Sequence, residues 1–200
     1  MKYLPLAFVL AATAAQAETV LSDVSGNWAA PENNGFYYRA VLTSDGEFLR
    51  LRIYEGMAAD AIEAEPMFDN SKIAYATGST PGGKDWLEVG PTGALSLNSV
   101  TVNEGYVYSD RLTLSHMDNM IAAMSYWHSN NGPDAAATMP DDPFTCWAEG
   151  CYSCAADLWN GTAVAGGEQI AVGQGLYEEL NASLWTPERI YELGFCPAPN

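Results

Sequence analysis

The stretch Phe36–Tyr54, FYYRAVLTSDGEFLRLRIY, decides the fold class of this chain. Apolar and polar residues alternate on both sides of Asp45-Gly46, and a period of two predicts β-strands. An Asp-Gly pair between two such strands indicates a two-residue hairpin turn, since both turn positions need a positive φ. We therefore predict an antiparallel hairpin centred on this pair.

The hairpin also predicts which side chains enter the core. Pairing outward from the turn gives the pairs Leu42–Leu49, Ala40–Leu51 and Tyr38–Ile53 on one face. A slip of one residue would exchange the two faces, so burial of this face should fix its identity.

The hairpin belongs to a longer series of strands. Six further stretches between turn signals are predicted strands: Lys72–Thr77, Asp85–Val89, Ala94–Val102, Tyr106–Tyr108, Arg111–Met117 and Met120–Ser129. About eight strands with tight connections predict a mainly β fold, an antiparallel meander closed into a small barrel or folded into a sandwich. The longer link Glu55–Ser71 is expected to hold a short helix or a loop.

The N-terminal residues 1–17, MKYLPLAFVLAATAAQA, have the pattern of an export signal peptide. Lys2 gives the positive start, Leu4–Ala15 the apolar segment, and Ala15-Gln16-Ala17 the small-x-small cleavage site. The segment is shorter than the roughly 20 residues needed to span a bilayer. We expect bacterial export, with the protein in the periplasm or secreted.

Cleavage after Ala17 would leave 200 − 17 = 183 residues, with a charge of 7 − 25 = −18. So acidic a chain argues against nucleic acid, which is bound through clustered Lys and Arg. No later segment is apolar enough for membrane insertion. We divide the chain into the signal peptide, a barrel-like domain (residues 18–130), and a linker with a cysteine-containing tail packed on the barrel (residues 131–200).

The tail carries one clear helix signal and three of the four cysteines in a short run. Thr186 is suited to cap the helix, Pro187 to its first position, and Gly194 to the residue just past its end. Residues 146–154 read CWAEGCYSC. We expect a loop-rich, disulfide-stapled segment containing this short helix.

Two family resemblances can be drawn from short motifs. Ser25-Gly26-Asn27-Trp28 resembles the Gly-x-Trp signature of lipocalins and related small barrels, which implies a ligand-binding β-barrel with Trp28 as its plug. The spacing Cys146-x4-Cys151-x2-Cys154, with Cys196 further on, is similar to the plant-type ferredoxin loop and implies a [2Fe–2S] cluster. The 41-residue gap (196 − 154 − 1) before Cys196, the strand meander and export argue against the cluster.

Two other roles for the cysteines compete with structural disulfides. Cys151-x2-Cys154 has the spacing of a redox dithiol, and four cysteines suffice for a zinc site. An even cysteine count in an exported, loop-rich tail instead favours two disulfides. Three pairings are possible, and we favour Cys146–Cys151 with Cys154–Cys196, which joins neighbours in chain order. We expect no metal ion and no cofactor.

Residues suited to catalysis are few. If Asp118-Asn119 is a hairpin turn, His116 pairs with Ile121, and His128 lies seven residues further on and on the opposite face. The two histidines then cannot share a metal ion. Glu188 and Glu192 share a face of the predicted helix, where a solvated pair is the simpler interpretation. We assign no catalytic residue.

The outer face of the first hairpin is the best candidate binding site. It carries three arginines between two tyrosines: Tyr37, Arg39, Arg50, Arg52 and Tyr54. The predicted register sets Arg39 opposite Arg52, which is unfavourable unless an anion or a carboxylate lies between them. Arginine forks grip carboxylate, phosphate and sulfate groups, although carboxylates of the chain itself could occupy them.

These observations together favour a non-catalytic binding protein of the bacterial envelope, either a small-ligand carrier or an inhibitor-like protein. Its expected partner is a small anionic or apolar ligand, or another protein. The alternatives are a periplasmic thiol oxidoreductase using Cys151 and Cys154, and a structural envelope protein.

Overall fold

The computed structural model describes residues 18–28, 35–78, 80–117, 120–172 and 177–198. The predicted signal peptide, residues 1–17, lies outside the described residues. The fold is mainly β, as predicted, and consists of two antiparallel sheets of four and seven strands. No helix among the described residues has the length and apolar character that a membrane crossing requires.

The four-stranded sheet contains β1 (Thr19–Asn27), β2 (Tyr37–Ser44), β3 (Phe48–Gly56) and β4 (Phe68–Tyr75). The seven-stranded sheet contains β5 (Lys84–Val89), β6 (Leu95–Asn103), β7 (Tyr106–Met117), β8 (Met120–Asn131), β9 (Tyr152–Asp157), β10 (Thr162–Ala165) and β11 (Glu168–Ala171). The helical segments of the described residues are three short 3₁₀ helices (Ala135–Thr138, Tyr177–Leu180, Ala182–Leu184) and helix α1 (Arg189–Glu192).

Each sheet is a meander in which neighbours in sequence are neighbours in space. The order is β1-β2-β3-β4 in one sheet and β11 to β5, in reverse chain order, in the other. Across the described strands no pairing joins the two edges of either sheet, so the structure is a pair of packed sheets, not the closed barrel that was the other predicted form.

The first hairpin confirms the predicted core face and corrects the predicted register. The six core-face residues are fully buried: Tyr38, Ala40, Leu42, Leu49, Leu51 and Ile53. The pairing is shifted by two residues, so that Leu42 lies opposite Leu51. The cause is Asp45, whose side chain accepts hydrogen bonds from the backbone N–H groups of Glu47 and Phe48 at 3.0 and 2.8 Å and closes a four-residue loop. A shift of two residues preserves the faces.

The β7–β8 hairpin confirms one predicted pair and corrects one predicted face. His116 lies opposite Ile121, as predicted, while Asp118 and Asn119 lie outside the described residues. A β-bulge places Ser125 opposite Thr113 and Ala123 opposite Leu114, leaving Met124 as the extra residue. The side chains beyond a bulge change faces, so His128 returns to the face of His116 instead of the opposite one.

The C-terminal part holds the predicted disulfides and helix, and it also adds strands. Cys146–Cys151 and Cys154–Cys196 are the two disulfides, the pairing favoured from the sequence. Helix α1 ends before Gly194, whose φ of 78° is the left-handed conformation expected after a helix. Strands β9–β11 extend the second sheet, although this segment was predicted to be rich in loops.

Apolar side chains cover both faces of the seven-stranded sheet. The main core lies between the two sheets and reaches Trp185, Ile190 and Phe195 in the C-terminal segment. A smaller cluster on the outer face contains Val100, Val107, Ala135 and Phe144. The predicted linker therefore covers the outer face of this sheet and does not extend into solvent.

Candidate functional site

A cavity of about 450 Å³ lies where the two sheets diverge beneath the C-terminal segment. Its walls come from β4 of one sheet, from β6, β7 and β8 of the other, and from residues 185–198. The volume falls in the range of about 300–1,000 Å³ that is typical of small-molecule sites. We take this cavity as the candidate functional site because hydrogen-bonded polar side chains lie within its largely apolar wall.

Asp110 on β7 is the centre of a hydrogen-bonded group in this cavity. The Tyr126 hydroxyl donates to Asp110 Oδ1 at 2.5 Å, and His128 Nδ1 lies 2.9 Å from the same oxygen. The Tyr191 hydroxyl is hydrogen-bonded to Tyr126. Burial raises the pKa of Tyr126 well above its ordinary value and also raises the pKa of Tyr191, so both phenols remain neutral donors.

A second carboxylate enters the cavity from the C-terminal segment. Glu188 accepts a hydrogen bond from the hydroxyl of Tyr75 on β4. This bond lowers the pKa of Glu188 and raises the pKa of Tyr75. Glu188 therefore stays ionised and Tyr75 stays protonated at neutral pH.

The C-terminal wall is fixed to the sheets at two places. Asn70, a buried residue of β4, donates from Nδ2 to the backbone carbonyls of Ala182 and Trp185 at 2.9 and 2.8 Å. The disulfide between Cys154 and Cys196 ties the end of the chain to β9, and Cys154 is the cross-strand neighbour of His128. The wall is therefore held from both sheets.

Ser99, Asp110 and His128 form a row across β6, β7 and β8. Ser99 lies opposite Asp110, and Asp110 lies opposite His128. Ser99 and His128 thus lie two strand spacings apart, about 9.5 Å, with Asp110 between them. A serine nucleophile needs the imidazole beside it, so this row fits hydrogen bonding to a bound molecule better than acyl transfer.

The predicted arginine–tyrosine face lies on the outer side of the four-stranded sheet, away from the cavity. Arg39 forms two bonds with Asp23, at 2.9 and 2.5 Å, and lies opposite Tyr54, not Arg52. The opposed arginine pair of the predicted register is therefore wrong. Tyr37, at the edge of this face, is 37% exposed.

The other two arginines of this face are also paired with carboxylates of the chain. Arg50 bonds Asp69 at 2.7 and 2.5 Å and Glu18 at 2.7 Å, and Glu18 also bonds Arg52. Hydrogen bonding by Arg50 is the main reason why the pKa values of Glu18 and Asp69 are lowered. Nothing in this arrangement calls for an external anion, and the binding role of the face stays a prediction.

A second carboxylate–histidine contact, more buried than that of His128 with Asp110, lies elsewhere, at the end of β3. Glu55 Oε1 accepts from Trp28 Nε1 at 2.7 Å, and Glu55 Oε2 lies 3.8 Å from His116 Nε2. Trp28 is 1% exposed and stacks on Tyr38 at a centroid distance of 4.0 Å. Trp28 is thus a core residue with a satisfied indole, whereas its predicted role as a barrel plug stays a prediction.

The disulfides bear on the alternatives left open for the cysteines. Cys151 and Cys154 bond different partners, so they do not form the redox pair of a thiol oxidoreductase. All four thiols are used in the two disulfides, which are consistent with an oxidising compartment.

No protein-family model matches the sequence, and neither a curated protein nor a solved structure shows significant similarity to it.

Asp110 and Tyr126 were not singled out from the sequence, and His128 was placed on the wrong face, because their positions depend on two tertiary features. The bulge at Met124 decides that Tyr126 and His128 face the cavity, and a strict alternation placed His128 on the wrong face. Asp110 falls in the interval between two predicted strands, Tyr106–Tyr108 and Arg111–Met117, which are one continuous strand, β7. The pairing of His128 with Asp110 depends on the alignment of β7 with β8.

Proposed function

We propose that the protein is an exported, non-catalytic binding protein, located in the periplasm or secreted, that takes up a small organic ligand in this cavity. The observation that carries the proposal is the combination of an apolar wall with a few convergent polar groups. Ile73, Leu97 and Leu112 supply apolar surface, and Asp110 with its two donors supplies directional hydrogen bonding. Small-ligand sites have this composition.

Two features support a preformed site over a cleft that opens by chance. The polar side chains are held by each other before a ligand arrives, and the wall is fixed by Asn70 and by a disulfide. Preorganisation of this kind reduces the entropy that binding would otherwise cost.

The test compares ligand binding by the unaltered protein with binding by a variant whose cavity is filled by a larger side chain. A panel of soluble aromatic fragments is titrated against the protein and followed by ligand-observed NMR and calorimetry. Ala76→Trp places a large side chain on the cavity rim, and Ala137→Trp makes the same change at an exposed position away from it. We expect fragments to bind the Ala137→Trp protein like the unaltered protein and the Ala76→Trp protein at least about tenfold more weakly, a loss of about 1.4 kcal/mol.

Two results would contradict the proposal. One is a panel with no binding fragment, which would favour a structural or protein-binding role. The other is binding that Ala76→Trp does not change, which would place the site elsewhere on the molecule.

A further inference from the structure

The cavity is lined by two carboxylates and by one imidazole, that of His128. Asp110 and Glu188 are its carboxylates, and its lining contains neither lysine nor arginine. The basic side chains of the first hairpin are bonded to other carboxylates on the far side of the four-stranded sheet. Within the described part of the chain, the cavity therefore presents negative charge that the protein does not balance with a guanidinium or an ammonium group.

The hydrogen bonds inside the cavity hold these charges in place without removing them. Asp110 accepts from Tyr126 and His128, and Glu188 accepts from Tyr75. Tyr75 is a neutral donor, so its hydrogen bond stabilises the ionised carboxylate of Glu188 and lowers its pKa. Two carboxylates are therefore held by hydrogen bonds at the cavity wall.

Aromatic rings also line the cavity. Trp185 lies 6.3 Å from Tyr126 between ring centroids, and Tyr75 and Tyr191 also line the cavity. Aromatic faces carry negative potential and attract cations, including quaternary ammonium groups, most strongly where water is excluded.

A buried hydroxyl on the β6 wall points to a ligand independently of the charges. Ser99 is 8% exposed and lines the cavity, and its Oγ has no hydrogen-bond partner among the described residues. Buried polar atoms in native proteins are nearly always satisfied. A bound molecule with a polar group near Ser99 would supply the partner.

We propose that the ligand of this cavity is an organic cation, an amine or quaternary ammonium compound with an apolar or aromatic body. The cationic group would lie between Asp110 and Glu188 against the aromatic rings, and the body against Ile73, Leu97 and Leu112. This inference rests on the proposed function and adds the chemical class of the ligand. It differs from the anionic ligand expected from the arginine-rich hairpin, because those arginines are internally paired.

Three probes with the same phenyl body and different charge test the inference: 2-phenylethylammonium, 2-phenylethanol and 3-phenylpropionate. Each is titrated by calorimetry at pH 8 and about 0.15 M salt, where the Debye length of about 8 Å screens the acidic surface. We expect the ammonium compound to bind at least about tenfold more tightly than the alcohol, and the carboxylate to bind most weakly.

Variants that each remove one carboxylate charge show which residues cause the preference for the ammonium compound. Asp110→Asn and Glu188→Gln should each weaken binding of the ammonium compound about tenfold and leave the alcohol nearly unchanged. Asp60→Asn removes the same charge from an exposed loop outside the cavity lining and should change neither probe. If Asp110→Asn fails to fold, Glu188→Gln carries the test alone, since Glu188 lies near the surface.

The outcomes separate the two proposals. Equal affinity for the ammonium compound and the alcohol, or equal weakening by Asp60→Asn and Glu188→Gln, would overturn the cation assignment while leaving a ligand-binding cavity. Failure of all three probes and of the fragment panel would overturn the proposed function itself.

Discussion

The Cys154–Cys196 disulfide should contribute about twice as much stability as Cys146–Cys151. The perturbation is the pair of double variants Cys154→Ala/Cys196→Ala and Cys146→Ala/Cys151→Ala. The sequence separations are 42 and 5 residues. In the chain-entropy estimate, cross-linking loops of these lengths contributes about 4 and about 2 kcal/mol to the free energy of unfolding.

Packing acts in the same direction as loop entropy. Cys154 and Cys196 are both buried, at 0% and 4% exposure, and Cys146 is exposed. Loss of two buried sulfur atoms therefore adds to the cost of the longer cross-link. Reduced protein loses both cross-links and keeps all four sulfur atoms, so it measures the summed effect of cross-linking without loss of the buried sulfur atoms.

The assay is urea unfolding followed by tryptophan fluorescence and far-ultraviolet circular dichroism. Free energies of unfolding are compared for the unaltered protein, both double variants and the reduced protein. Hydrogen exchange adds a local measurement, since amides in residues 185–196 should exchange faster only when the longer cross-link is absent.

Equal destabilisation of the two double variants, within about 0.5 kcal/mol, would refute the argument from loop length and burial. Faster exchange in residues 185–196 of the Cys146→Ala/Cys151→Ala protein would refute the assignment of the longer cross-link as the clamp of the cavity wall.

Three further predictions concern stability. Asn70→Ala removes the donor to two backbone carbonyls of the C-terminal wall and should lower the free energy of unfolding by about 1–3 kcal/mol in urea titrations. Burial raises the pKa of Glu55, so folding takes up a proton there and stability falls as pH rises through the folded-state pKa. Glu55→Gln, which keeps an acceptor for Trp28, should flatten that fall in urea titrations repeated at a series of pH values. Arg50→Ala should cost less than about 1 kcal/mol for each of its partly exposed ion pairs, and the cost should shrink in 1 M salt; a loss unaffected by salt would contradict its electrostatic origin. Arg50 lowers the pKa of Asp69, so its stabilising effect should be present at neutral pH and disappear as pH falls through that pKa.

The sequence predicted the features that depend on local chemistry. Alternation of apolar residues in Phe36–Tyr54 identified the buried face of the first hairpin, and Gly194 identified the end of α1. These signals are local because side-chain direction in a strand and positive φ at a glycine depend on few neighbours.

The features that position the cavity depend on competition between local alternatives. Asp45-Gly46 favours a two-residue turn, but the Asp45 side chain satisfies two backbone N–H groups in a four-residue loop, and the register follows that loop. On β8, Ile121, Ala122 and Ala123 are all buried, so alternation fails just where the bulge lies. An alternating pattern does not reveal where a bulge interrupts it, and His128, which lies beyond the bulge, was assigned to the wrong face.

The meander order of the strands determines the order in which they can pair while the chain is being delivered. Every strand except the first of each sheet pairs with the strand just before it, so a chain delivered N-terminus first can complete each pairing as it arrives. Cys154 is different, because its partner Cys196 follows 42 residues later and Cys151 is close at hand in the meantime. Thiol–disulfide exchange must then resolve any early Cys151–Cys154 bond before the correct pair can form. The Cys154–Cys196 bond can therefore close only after the strands of both sheets have been delivered, and a molecule interrupted before it would have both sheets and a cavity wall that is not yet cross-linked.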